Sequence, residues 1–119
     1  MPDQAFSMRP EDFAKAMPFG FIVDAEGRLV TLGAALRRCL GVAVGALADE
    51  HLAIVRPPRT ASLRDVVRNP SATVVLRARH GTLQLKGCLV TANRGERTTF
   101  LGAPVVRDIG EFKQLGHLA

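Results

Sequence analysis

Three histidines, two cysteines and eleven acidic residues are the groups in this chain that could carry chemistry. Their types would allow metal binding, acid–base work or nucleophilic attack, so their spacing decides. His51, His80 and His117 fall in a turn, at a hairpin tip and in the tail, and no pair of them has the spacing of metal ligands. None sits on an inward face, where an axial haem ligand would have to stand. Cys39 and Cys88 match no zinc pattern and have no secretory context, so both read as free, buried thiols. The acids stand where the local backbone wants them: Glu11 and Asp12 open a helix, Asp24 and Glu26 flank a turn, and Asp49 and Glu50 open another helical turn. No Ser-His-Asp set, nucleophile elbow or phosphate loop is present in the sequence. The expectation is a protein with no catalytic, cofactor-binding or metal-binding residues.

Charge is the next signal. The net charge is +5, from 16 Lys and Arg against 11 Asp and Glu, and twelve of the bases but only four of the acids lie between Arg28 and Arg97. Such an excess can mark a nucleic-acid surface. However, the arginines are dispersed singly and Tyr and Trp, which stack on bases, are absent. A solvated or partner-facing surface is the reading, with no nucleic acid. A chain of 119 residues that is 47% hydrophobic and 23% charged belongs to the soluble globular class and forms one domain. No apolar run approaches the roughly 18 residues of a membrane span. The polar start, Met1 to Gln4, lacks the basic and apolar regions of a signal peptide, so a cytoplasmic location is expected.

The elements that position these groups follow from periodicity. Residues 7–17 form a short helix, capped near Ser7, with Pro10 in its first turn and an apolar stripe of Phe13, Ala16 and Met17. Such a helix is marginal alone and must dock, on its own sheet or on a second subunit. Two strands, Phe19–Asp24 and Arg28–Leu32, make a hairpin around Ala25-Glu26-Gly27. A helix over Ala34–Leu40 ends at Gly41, a helical turn comes next near residues 46–51, and Leu52–Val55 is a short apolar run stopped by Arg56-Pro57-Pro58-Arg59. Another helix begins at Ser62. Ala72–Arg79 is a strand with Val74, Leu76 and Ala78 inward, and His80-Gly81 is a two-residue loop into the last hairpin. In that hairpin Leu83, Leu85, Gly87 and Leu89, then Leu101, Ala103 and Val105, are expected on the core face. Gln84, Lys86, Cys88, Thr98 and Phe100 are expected outward. The fold class is α+β: a five-stranded antiparallel sheet with helices on one face and an N-terminal helix. The end, Gly116 to Ala119, reads as a cut edge of a longer polypeptide.

Several strings then look familiar. Phe13-Ala14-Lys15-Ala16-Met17-Pro18-Phe19, the Asp24–Leu29 turn, Leu36-Arg37-Arg38, Leu85-Lys86-Gly87 and Phe100-Leu101-Gly102-Ala103-Pro104 resemble the haem-nitric-oxide-binding-associated domain. This is the PAS-like module between the haem sensor and the coiled coil of soluble guanylate cyclases, also found in bacterial histidine kinases. The resemblance covers Phe13 to Leu115; the "LKG" and "FLGxP" strings are its most specific part. It departs at Gly20, where the family often has a histidine, so no role of that histidine carries over.

The resemblance implies a single PAS-like domain over residues 1–119, with a docking helix at 7–17, a core at 19–106 and the start of a linker at 107–119. It implies a non-catalytic signal-transduction module that relays a state from an upstream haem-based sensor to a downstream cyclase or kinase. Partners would be a second copy or a related subunit, with no membrane insertion. The residues expected at the dimer interface are Phe13, Met17, Phe19, Val75, Cys88, Val90 and Phe100. The other reading is a PAS sensor holding a small ligand in its interior; the apolar inward residues favour a packed core over a polar pocket.

Overall fold

The computed structural model describes residues 9–56, 73–92 and 96–105. The helix expected from Ser62, the loop at residues 93–95 and the tail beyond Val105 lie outside the described residues, as does the Ser7 cap.

Helix α1 spans Pro10–Ala16, with Pro10 in the first turn, Glu11 and Asp12 at its positive end and Lys15 in the last turn, the arrangement that the helix dipole favours. Arg9 takes the cap position, and its Nε donates to Asp12 Oδ2 at 3.0 Å. Strand β1 (Phe21–Val23) and strand β2 (Leu29–Leu32) form the expected hairpin. Helix α2 (Ala34–Leu40) stops at Gly41, whose φ of +64° is a left-handed cap that a Cβ would strain. Residues 45–47 then lie along the free edge of β2: Leu29 N–H donates to Ala46 O and Gly45 N–H to Leu29 O, both at 2.8 Å. A single 3-10 turn, Ala48–Glu50, leads on.

The next element departs from expectation. Leu52–Arg56 is strand β3, the sixth strand of a sheet expected to have five. The run expected to be stopped by Arg56-Pro57-Pro58-Arg59 is thus a strand that includes Arg56. It pairs antiparallel with β4 (Val74–Ala78) so that Leu52 and Ile54 lie opposite Ala78 and Leu76, and a bulge before Arg56 turns it away. The turn from β4 into β5 (Gln84–Ala92) is also longer than the two residues expected. Ala78 N–H donates to Leu83 O at 2.9 Å, closing a loop of four residues between them, and Arg79 N–H is drawn to His51 O at 2.9 Å. Strand β6 (Arg97–Pro104) completes a sheet in the order β2-β1-β6-β5-β4-β3, every neighbour antiparallel.

The β5–β6 register reverses the faces expected for β6. Ala92 pairs with Arg97, so each odd residue of β5 lies opposite an even residue of β6: Leu89 with Phe100, Gly87 with Gly102, Leu85 with Pro104. Cross-strand partners share a face, so the core face holds Leu85, Leu89, Thr98 and Phe100, whereas Leu101 and Ala103 point outward. The core lies between this inner face and α2. Phe21 and Phe100 stack at 5.1 Å between centroids and 19° between planes, and Leu29, Leu36, Leu52, Val74, Leu76 and Leu85 are fully buried around them. Each such side chain contributes about 1.5–3 kcal/mol of transfer energy.

Candidate interaction surface

The outward sheet face is built by alternation. On β1 it presents Ile22; on β6 Thr99, Leu101 and Ala103; on β5 Lys86, Cys88 and Val90; on β4 Val75 and Arg77. Register sets these into rows. Ile22 lies opposite Thr99 and Thr99 opposite Val90; Leu101 lies opposite Cys88; Ala103 opposite Lys86, Lys86 opposite Val75, and Val75 opposite Arg56. One half of the face is therefore apolar and the other basic. Val90 is 48% exposed, one of few large apolar side chains so open among the described residues.

Of the residues expected at an interface, Val75, Cys88 and Val90 share this face. Phe100 does not: it is 0% exposed in the chain's own core. Phe19 is also buried in that core. Phe13 is buried beneath α1, outside the main cluster; α1 lies on β2, and a Cβ added at Gly20 would come within 3.1 Å of the Phe13 ring. Thr31, opposite Ile22 on β2, is buried as well. Met17, the C-cap of α1, is half-buried. Cys88, expected buried, is exposed, while Cys39 is half-buried and burial pushes its thiol pKa up. Ile22 and Leu101 complete the apolar half although neither is among the residues expected there; Leu101 escapes because the alternation of β6 fits either face.

The acidic and histidine positions organise turns. Asp24 Oδ1 accepts from the backbone N–H of Arg28 at 2.9 Å and of Glu26 at 3.0 Å. These donors, the Arg28 N–H foremost, hold its carboxyl below the usual aspartate value, and Arg97 adds a smaller charge effect. Arg28 Nη1 donates to Gly45 O at 3.0 Å, tying the turn to the segment that covers the β2 edge. His51 is half-buried after the 3-10 turn and His80 is exposed at the β4–β5 tip. Among the described residues no three His, Cys, Asp or Glu side chains converge as a metal site would need, and no buried side-chain polar atom lacks a partner. An open groove of about 630 Å³ runs between Ala14 of α1 and Arg37, Arg38 and Val42 of the α2 region. No helix among the described residues is long and apolar enough to cross a membrane. Comparison of the chain with known protein families and with curated proteins finds no match.

Proposed function

We propose that this domain is a non-catalytic signal-transduction module, similar to the haem-nitric-oxide-binding-associated domain, that pairs with a second copy or a related subunit and relays a state from a sensor to an output domain. The observation that carries the reading is the outward sheet face, where Ile22, Val90, Leu101 and Cys88 form an apolar patch with no element of the described chain packed over Val90 or Cys88. Apolar sheet faces of this kind are stabilised by pairing across a two-fold axis. Val75 of β4 lies on the same face, while Phe19 and Phe100 are buried in the core on the other side of the sheet. The antiparallel sheet with α2 and the 3-10 turn between β2 and β3 agrees with a PAS-like reading, and the apolar side chains buried around the Phe21–Phe100 stack support action through the surface.

Sedimentation equilibrium tests this. Purified protein is expected to form a dimer, and Val90→Asp is expected to weaken it by at least about tenfold, since a charge then enters the apolar centre of the contact, while the monomer still folds. A wild-type monomer of 12.8 kDa at high micromolar concentration overturns the pairing. A small molecule retained in native mass spectrometry would instead support a ligand-sensing domain.

A further inference from the structure

We propose that the basic half of the outward face, where Arg56, Arg77 and Lys86 bracket Val75, binds a carboxylate-rich segment of a partner protein that carries apolar residues between its acids. This site goes beyond the two-fold pairing and stands whether or not that pairing occurs. Strands β3, β4, β5 and β6 contain no acidic residue in their described lengths. Their bases are Arg56, Arg77, Lys86 and Arg97. Lys86 and Arg56 stand on either side of Val75 through direct register, and Arg77 is two residues along β4 on the same face. With strands about 4.8 Å apart, the three cations lie within roughly 10 Å of one another.

The other cations are distant or engaged. Arg97 lies at the other end of β6, opposite Ala92, and Arg79 Nε donates to Asp49 O at 2.7 Å. Arg56, Arg77 and Lys86 are exposed, and the ion pairs seen among the described residues are those of Arg9 with Glu11 and Asp12, at the far helix. Three like charges with no anion placed among them by the described residues are unsuited to pairing with their own copy, because a two-fold axis through Val75 would oppose cation to cation. They suit carboxylates. The alternation of these cations with Val75 and Ala103 asks for apolar groups between the acids. Nucleic acid fits less well, since Phe13, Phe19, Phe21 and Phe100 are all buried and no phenylalanine ring among the described residues is offered to a base.

The test titrates the full chain with a synthetic peptide of glutamates interspersed with leucines, its lysine-for-glutamate and serine-for-leucine counterparts, and a single-stranded oligonucleotide. The glutamate–leucine peptide is expected to bind best. Arg77→Glu and Lys86→Glu are each expected to weaken it by about tenfold, whereas Arg37→Glu, on α2, leaves it within about twofold. Backbone amide shifts on binding should centre on Val75, Arg77 and Lys86. Equal loss from Arg37→Glu, no preference for leucine over serine, or tighter binding of the oligonucleotide each overturns the proposal. Sedimentation of the same variants separates the two readings: Val90→Asp should remove the dimer and keep the peptide.

Discussion

At the scale of single residues, burial separates what supports the surface from what forms it. Phe100 stacks on Phe21 with no exposure, so Phe100→Ala should cost about 3–5 kcal/mol in urea unfolding. Phe100→Asp should prevent folding altogether, whereas Val90→Asp should still melt cooperatively, lower only by what the lost pairing contributes and without the wild type's dependence on protein concentration. Asp24 offers a pH-dependent case. Its folded pKa is lowered by the Arg28 and Glu26 N–H groups, so its contribution is present above the ordinary value of 3.8 and is lost as pH falls from there through the lowered folded value. Asp24→Asn should flatten that acid limb in thermal melts followed between neutral and strongly acidic pH; an unchanged acid limb would show that the turn carries no such linkage. The thiols differ in kind as well. Exposed Cys88 should react with a disulfide reagent before half-buried Cys39, and more slowly when the outward face is occupied.

At the scale of elements, the sequence is most legible where one signal settles each boundary. Helix α2 is readable at both ends because Gly41 caps it, and β4 because Val74, Leu76 and Ala78 alternate with Val75 and Arg77. Strand β6 misleads because it alternates on both parities: Thr98 and Phe100 compete with Leu101 and Ala103 for the core. Periodicity alone cannot choose between them. Loop length can, since four residues between paired Ala92 and Arg97 force odd to face even, and Leu89 then selects Phe100. Strand β3 is hidden for another reason: its five residues do not alternate, and an edge strand with a bulge reads as an apolar run. The same logic makes Val75, Cys88 and Val90 visible as surface residues and hides Leu101. Gly102 tests the register. A Cβ there would run into the Phe100 ring and the Lys86 carbonyl, so Gly102→Ala should destabilise the fold by about 1–3 kcal/mol. Were Gly102 outward, as the other register requires, the substitution would be nearly neutral.

At the scale of the whole molecule, the outward face is large enough to matter and too unevenly charged to pair equally well about every axis. Six strands about 4.8 Å apart span about 24 Å, and the eight residues of β6 run about 27 Å, a projected area near 650 Å². A stable interface takes about 800 Å² from each partner; with the basic half kept out of the contact only about half of that sheet area is available, so the sheet alone falls well short and further surface, α1 being the expected source, has to add to it. Removing residues 1–17 should therefore weaken the dimer, while also removing the buried Phe13 and so lowering the stability of the monomer. The charge distribution places the axis. Pairing centred on Ile22, Val90 and Leu101 keeps Arg56, Arg77 and Lys86 of one copy away from those of the other, and pairing centred on Val75 does not. The residual repulsion between two +5 chains is screened as ionic strength rises, because the Debye length shrinks from about 10 Å at 0.1 M to about 3 Å at 1 M. The self-association constant should thus rise with salt while binding of the glutamate–leucine peptide falls. Sedimentation and peptide titration across one salt series read both slopes; a self-association that weakens with salt would place the cations inside the contact, against acids of the second copy, and move the axis off Val90.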